Sequence, residues 1–431
     1  MEAVRYPNTR WLILLSAVFA FVSLQIANLS IAPLFPIVGR DLGLGPAQLA
    51  SLMSVYTLSG CLLMFWVGGA IVDHFGLLTG TLLGLLSAGL PMTLMPLFGH
   101  SYHAMLWIRV VEGFAAGFAF PAQGIILASW FGPDQKGLAG GLMSASITLG
   151  VQCGVYGGSI PVERFGASWQ TASAYLSIFA WIGVIFTVAL MASKPKAPDV
   201  GNAAPGMTNK DLFKRCLFTP LTLLGILTVF MVSWVFHSLT GIVPGALATP
   251  RPLGAGYTAM QASSLMLGVT IAGILGPILG GFLLDKVFKG SPKFNLLFGF
   301  AAMFIFVGLI VFPVVLYTPV LMVVCLVMAA LGFQFVFPVL YIYASRVYPL
   351  PVVGEMVGLW MGIGTFGGVI GQAVGGAVAQ ATGTYLWMYT MMAAAAFIGF
   401  FVTLSLIKQK PVTPETTTAE LPERPAIPHA A

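Results

Sequence analysis

Twelve long apolar stretches constrain the fold of this 431-residue chain more than any other feature. Each has roughly 20 residues or more, the length that a helix needs to cross about 30 Å of hydrocarbon. Stretches of this length predict membrane-spanning helices, because a helix satisfies its own backbone groups where no water is available. The predicted spans are 11–38, 48–72, 77–98, 104–130, 137–160, 170–192, 217–248, 258–284, 293–316, 319–345, 354–379 and 384–407.

The composition points to the same environment. Only 7% of the residues are charged, against about 25% in a soluble domain, and 58% are hydrophobic. So few charges cannot cover the surface of a chain of this size, so most of the outer surface faces lipid. Intrinsic disorder is excluded because it requires low hydrophobicity and high charge. The expected fold class is therefore an all-α integral membrane protein.

The basic residues predict an orientation. With both termini in the cytoplasm, fifteen Lys and Arg lie on the cytoplasmic side, and only Arg40, Arg164 and Arg251 lie opposite. This distribution follows the positive-inside bias. We expect a multi-pass protein of the plasma (inner) membrane, with the lipid bilayer as its main partner. The bases form no stripe, so nucleic acid is not an expected partner despite the net charge of +6.

A polar and basic segment divides the spans into two groups of six. Residues 193–216 are rich in Pro, Gly and Asn, which is typical of a linker. The expected organisation is an N-terminal six-helix bundle at 1–192, a cytoplasmic linker at 193–216 and a C-terminal six-helix bundle at 217–407. The remaining 408–431 is rich in Pro, Thr and Ala and is expected to be a disordered cytoplasmic tail.

The two groups of spans repeat each other. Asp73 follows the second span in GGAIVDHFG, and Asp285 follows the eighth span in the similar segment GGFLLDKVF. The segment FAFP ending at Pro121 has its counterpart in FVFP ending at Pro338. Such parallel repeats place a binding site between them near the membrane midplane. The shift along the chain that relates these two prolines also matches Gly137, Gly141, Gly150, Gly154 and Gly158 with Gly354, Gly358, Gly367, Gly371 and Gly375.

These motifs resemble those of the major facilitator superfamily over nearly all of 10–408. The resemblance rests on the GAIVDHFG segment around Asp73, its partial copy around Asp285, RVVEG at 109–113 and the glycines of the fifth span. It implies two pseudo-symmetric six-helix bundles, transport by alternating access, and gating contacts by Asp73 and Asp285. His74 stands where the family usually has basic residues, a departure from the usual gating network. Val155 stands where drug–proton antiporters typically have proline, which counts against an efflux pump.

The fourth span contains two opposite charges whose spacing places them on one face of a helix. Arg109 and Glu112 lie three residues apart, and Gln123 projects within about 60° of both on a helix. Charges inside a bilayer are costly, so such a pair indicates function. We expect Arg109 to bind an anionic substrate and Glu112 to carry a proton. The alternative is an Arg109 that reaches the interface with Glu112 only neutralising it.

Other polar side chains lie in the spans that line the cavity in the resembled family, namely the first, fourth, seventh and tenth. They can contact substrate or hydrogen-bond between helices, and His237 is also a candidate proton carrier. These candidates are Gln25 and Asn28 in the first span, Trp234 and His237 in the seventh, and Gln334 and Tyr341 in the tenth.

The expected function is secondary transport of a small organic anion, such as a carboxylate, coupled to protons. The alternatives are a proton-coupled exporter of apolar or drug-like compounds, a divalent-metal carrier, and a non-transporting receptor or scaffold. The sequence has no GxxxxGK[ST] loop, no HExxH and no paired cysteines at metal-binding spacing. We therefore expect no enzyme activity, no cofactor and no resident metal, and a monomer as the working unit.

Overall fold

The computed structural model describes residues 7–64, 71, 74–131, 133–195, 210–283, 287, 291–348 and 352–409. All regular secondary structure in these ranges is helical. Eleven helices in them are long and apolar enough to cross a membrane. The second predicted span begins as the helix Pro46–Leu63, and its continuation at 65–70 lies outside the described residues.

The N-terminal half contains eight α-helices in its described residues. A 3-10 turn, Ala32–Leu34, separates the first two. The helices are α1 (Thr9–Leu29), α2 (Phe35–Leu42), α3 (Pro46–Leu63), α4 (Leu77–Phe98), α5 (Tyr102–Ser129), α6 (Pro133–Phe165), α7 (Trp169–Leu176) and α8 (Ile178–Ala192).

The C-terminal half contains eleven α-helices in its described residues, several of them short. They are α9 (Lys210–Leu217), α10 (Pro220–Gly241), α11 (Val243–Ala248), α12 (Ala259–Leu265), α13 (Leu267–Phe282), α14 (Pro292–Leu309), α15 (Pro313–Leu316), α16 (Pro319–Val347), α17 (Val353–Gly364), α18 (Phe366–Thr382) and α19 (Leu386–Ile407).

Several predicted spans are interrupted. The first ends at Leu29 rather than at 38, because Pro33 and Pro36 lack the N–H that would continue the helix. The eighth is divided at Met266 and the eleventh at Thr365. The helix α9 occupies the end of the expected linker, where the Cys216 side chain is buried. Asp73, Asp285 and the expected tail from 410 onward lie outside the described residues.

Glycines bring the repeated helices into close contact with equivalent partners. A side chain at Gly150 of α6 would meet the carbonyl of Val22 on α1 at 2.8 Å. At the repeat-related Gly367 of α18, it would collide with the carbonyl of Phe230 on α10. Small residues allow backbones to approach closely where lipid provides no hydrophobic driving force between helices. The glycine repeat of the sequence therefore corresponds to a packing repeat, α6 on α1 and α18 on α10.

The two halves meet along two seams toward one face of the membrane domain. We call the face with the start of α1 and the end of α19 the terminal face, and the opposite one the distal face. The described hydrogen bonds between the halves join α3 to α18 and α6 to α12 and α13. All of them lie between mid-span and the distal face. The described conformation is thus closed at the distal face.

Candidate functional site

The buried ion pair Arg109–Glu112 is the centre of the candidate site. Both residues lie on α5, whose N-terminus is capped by the Ser101 hydroxyl. Nη1 of Arg109 donates to Oε2 of Glu112 at 2.6 Å, and the side chains are 0% and 1% exposed. The pair is therefore sheltered from lipid, and in this conformation also from water.

The remaining contacts of Arg109 go to α1 and α3. Nη1 also donates to the carbonyl of Ala27 at 2.6 Å, and Nη2 donates to the carbonyl of Asn28 at 3.2 Å. These carbonyls are available because α1 ends at Leu29 and the last carbonyls of a helix have no intrahelical donor. The guanidinium also lies 5.6 Å from the centre of the Tyr56 ring. Arg109 thus joins three helices of the N-terminal half.

Three buried polar atoms at this pair remain unpartnered. Within the described residues, Nε of Arg109, Oε1 of Glu112 and Oδ1 of Asn28 have no hydrogen-bond partner. Buried polar groups are rarely left unsatisfied, because each lost hydrogen bond costs about 1–3 kcal/mol. The pair therefore has one free donor and one free acceptor, and Asn28 adds a second acceptor, which is more capacity than a purely structural ion pair requires.

The other candidates of the N-terminal half contribute less. The buried Gln25 side chain lies on α1 against Gly150 of α6, and no hydrogen bond among the described residues joins it to Arg109 or Glu112. The side chain of Gln123 lies outside the described residues. The structure therefore brings together Asn28, Arg109 and Glu112 from the sequence prediction.

The candidates on α10 face α18. The Trp234 ring lies 2.8 Å from the position of a side chain at Gly371, and the His237 ring contacts the corresponding position at Gly368. Nδ1 of His237 hydrogen-bonds to the carbonyl of Ser233 at 3.0 Å. Both side chains are half-buried. They occupy the C-terminal half, apart from the ion pair.

The candidates on α16 form a further group. Nε2 of Gln334 donates to the carbonyl of Gly273 on α13 at 3.3 Å, a contact between helices of the same half. The side chain of Tyr341 lies outside the described residues, as do the gating candidates Asp73 and Asp285. Gln334 therefore acts in this conformation as an interhelical contact, the alternative considered for these polar side chains.

Two buried glutamines outside the set of predicted site residues connect the halves. Oε1 of Gln372 on α18 accepts from the Thr57 hydroxyl of α3 at 3.1 Å, and its Nε2 donates to the carbonyl of His237 at 3.1 Å. Oε1 of Gln152 on α6 accepts from the Thr270 hydroxyl of α13 at 2.7 Å. Both glutamines lie among the repeated glycines, and that position is the signal that would have revealed them.

Phe118 and Phe335, the first residues of the repeated FAFP and FVFP segments, pack inside their own halves. Phe118 is buried on α5 against Gly84 of α4. Phe335 is buried on α16 against Gly280 of α13 and lies 5.7 Å from the ring of Phe298 on α14. In addition, no group of three His, Cys, Asp or Glu within the described ranges is placed to hold a metal ion.

A multi-pass helical membrane protein with repeated halves is the class that this architecture defines. The Major Facilitator Superfamily family model matches residues 13–349 and 253–429. The chain belongs to the major facilitator superfamily and has its twelve-helix fold of two pseudo-symmetric six-helix bundles. It is a transporter and not an enzyme.

Individual relatives are distant. The chain is 28% identical over 190 residues to the uncharacterized transporter YybO of Bacillus subtilis (strain 168), covering 43% of this chain and 42% of that protein. It is 22% identical over 408 residues to the hexuronate transporter of the same organism, covering 90% and 92%. It is also 22% identical over 261 residues to the quinolone resistance protein NorA of Staphylococcus aureus (strain MSSA476), covering 60% and 63%.

Proposed function

We propose that this transporter moves a small organic carboxylate together with a proton by alternating access. The observation that carries the proposal is the fully buried Arg109–Glu112 pair with its unused hydrogen-bonding capacity. Asn28, whose carbonyl binds Arg109 and whose side-chain oxygen is unpartnered, is the third member of the site.

The charges of the pair explain the coupling. With Glu112 ionised, the pair is neutral overall. When Glu112 takes up a proton, Arg109 becomes an uncompensated cation in a buried site, which is costly. A substrate carboxylate that accepts two bonds from the guanidinium restores neutrality. Proton and anion therefore favour each other's binding, and by linkage the effect is mutual.

This arrangement also predicts the electrical character of transport. One proton added to Glu112 and one monocarboxylate bound at Arg109 bring no net charge into the site. We therefore expect symport of a monocarboxylate with one proton to be electroneutral. A dicarboxylate would require a second cation, and within the described part of the chain Arg109 is the one Lys or Arg whose side chain is buried.

Access to the pair requires a movement of α1. In the described conformation, the carbonyls of Ala27 and Asn28 occupy the guanidinium donors that a substrate would use. The helix α1 ends at Leu29 and a 3-10 turn containing Pro33 follows, so the last carbonyls of α1 have no intrahelical donor that would hold them in place. Release of these two carbonyls is therefore the step that exposes Arg109 to an anion.

A full-length relative supports the substrate class. A hexuronate is a small organic anion with one carboxylate, and the hexuronate transporter aligns with 90% of this chain. A proton-coupled exporter of apolar compounds is the second candidate, supported by the alignment of NorA with 60% of the chain. The packing of Phe118 and Phe335 within their own halves favours the carboxylate. Growth in the presence of dyes and quinolones, with and without expression, separates the two.

We also propose an orientation in the membrane and a role for each part of the chain. With the terminal face in the cytoplasm of a plasma (inner) membrane, as the basic residues indicate, the distal face is outside. The bundles 1–192 and 217–407 move against each other as a monomer, with 193–216 between them. Asp73 and Asp285, which follow the second and eighth predicted spans in the sequence, remain proposed gating residues.

Uptake into proteoliposomes tests the function. A panel of radiolabelled monocarboxylates, including hexuronates, is offered with and without an inward proton gradient. We expect gradient-driven uptake of at least one carboxylate, its loss in Arg109→Ala, and in Glu112→Gln the loss of the gradient dependence. The matched controls Arg164→Ala and Glu355→Gln change exposed residues of the same types and should leave uptake unchanged. Uptake that is indifferent to Arg109→Ala contradicts the proposal.

A further inference from the structure

The distal face is closed by two side chains that cap helices of the opposite half. Glu163, near the end of α6, accepts from the backbone N–H of Met260 on α12 at 2.9 Å and from the Thr258 hydroxyl at 3.2 Å. Gln380, near the end of α18, accepts with Oε1 from the backbone N–H of Ala47 on α3 at 3.1 Å. Each contact joins the end of one helix to the beginning of a helix in the other half.

These two contacts are equivalent under the internal repeat. The shift that relates the glycines of α6 to those of α18 also places Glu163 on Gln380. Their partners Ala47 and Met260 correspond as well, because each is the second residue of its helix. The two capped helix ends are also built alike, since Gln48 and Gln261 each accept from the backbone N–H of the residue three positions earlier. Equivalent positions in both repeats thus make the same contact.

The equivalent contacts differ in charge. Glu163 is a carboxylate and makes two hydrogen bonds, whereas Gln380 is an amide and its oxygen makes one described bond to α3. Hydrogen bonds to an ionised acceptor are roughly twice as strong as neutral ones, and a negative charge is favourable at a helix N-terminus. In the described part of the chain Glu163 forms no ion pair that would reduce this preference.

The rest of the α6 seam is also more polar than the α18 seam. Below Glu163, the hydroxyl of Ser159 pairs with that of Ser263 at 3.0 Å, and the hydroxyl of Tyr156 pairs with that of Ser264 at 2.5 Å. On the other seam, Gly376 packs directly on α3 near Ala50. When a polar seam opens, water replaces its hydrogen bonds, so most of them contribute little to keeping it closed. The stability of the closed seam therefore depends on its strongest hydrogen bonds.

We propose that Glu163 and Gln380 are the two repeat-related latches of the distal gate, and that the charged Glu163 latch is the stronger one and sets how often this face opens. The latches act on the equilibrium between the states of the gate and do not touch the substrate. Because the proposal does not involve Arg109 or a substrate, it can fail independently of the proposed function.

Spin-label distances across the gate test the proposal. Labels are placed at Phe165→Cys and Val314→Cys, two exposed positions at the distal face on opposite halves, after the four native cysteines are replaced. Pulsed electron paramagnetic resonance of the full chain in lipid nanodiscs gives the populations of short and long distances. We expect Glu163→Gln to raise the ratio of open to closed gates about fivefold to tenfold.

Two further variants keep the outcome decisive. Gln380→Glu installs a second charged latch and should lower the open population, which a merely misfolded variant would not do. Arg164→Gln is the control. Arg164 is the exposed neighbour of Glu163 and forms no ion pair among the described residues, so this variant should leave the distances unchanged. The proposal is overturned if Glu163→Gln gives the same distance distribution as the labelled protein that retains Glu163. It is also overturned if Gln380→Glu raises the population of long distances.

Discussion

The buried pair Arg109–Glu112 predicts a specific order of stability among three variants. In Glu112→Leu, the guanidinium remains buried without its counter-charge, and removing one partner of a buried pair costs about 3–5 kcal/mol. Arg109→Met leaves the Glu112 carboxylate unpaired and also removes the donors of the Ala27 and Asn28 carbonyls. The two lost hydrogen bonds add about 2–6 kcal/mol, so this variant should be the least stable.

The double variant Arg109→Met/Glu112→Leu should be more stable than Arg109→Met. It contains no buried charge, and its main cost is the two unsatisfied carbonyls of α1, again about 2–6 kcal/mol. Replacing a buried ion pair by apolar residues of similar volume is otherwise often neutral. The sum of the two single costs should therefore exceed the cost of the double variant by several kcal/mol.

Reversible unfolding in mixed micelles, followed by tryptophan fluorescence, provides the free energies of all four proteins. Uptake of the transported carboxylate is measured on the same preparations. The double variant should be folded and inactive, which separates a structural role of the pair from a functional one. Additive single costs would refute the electrostatic reasoning. Wild-type uptake by the double variant would show that the pair is only a structural cross-link.

Two other predictions concern a buried hydroxyl and a close contact between helices. Tyr348→Phe removes a hydroxyl that hydrogen-bonds to the Thr222 hydroxyl and accepts from Nε1 of Trp360 at 3.2 Å. This variant should lower the free energy of unfolding by about 1–3 kcal/mol and leave uptake per folded molecule unchanged. Gly367→Ala should strongly reduce the yield of folded protein in size-exclusion chromatography, because the added carbon collides with the facing backbone of α10. Gly358→Ala is its control, since nothing lies within 4 Å of the added carbon there, and a similar loss in both variants would contradict the packing argument.

The fold was predictable from the sequence because lipid leaves a long apolar chain few alternatives. Spans and repeats were readable from hydropathy and from glycine spacing, and the family from the resemblance of the GAIVDHFG and RVVEG motifs to those of the major facilitator superfamily. The interruptions at Met266 and Thr365 were not predictable, because local breaks in a helix depend on packing and do not change the mean hydropathy of a span. The break after Leu29 had a visible cause in Pro33 and Pro36.

The candidate site was predictable only where chemistry and spacing coincide. Arg109 and Glu112 are charged, lie three residues apart and pair as helical geometry requires. Their partners on α1 are backbone carbonyls, which any residue provides, so the sequence carries no signal for them. Gln334 was selected by its span but faces α13, because the rotation of α16 is set by its neighbours. The contacts of Gln372 likewise depend on how the halves meet.

The central claim is that Glu112 takes up a proton when Arg109 binds an anion. Isothermal titration calorimetry of the purified protein with its best carboxylate, repeated in buffers of different ionisation enthalpy, counts the protons taken up per anion bound. Linkage between the two sites predicts a value close to one for the unmodified protein and close to zero for Glu112→Gln. A value of zero in the unmodified protein, or one that persists in Glu112→Gln, would contradict this account of coupling.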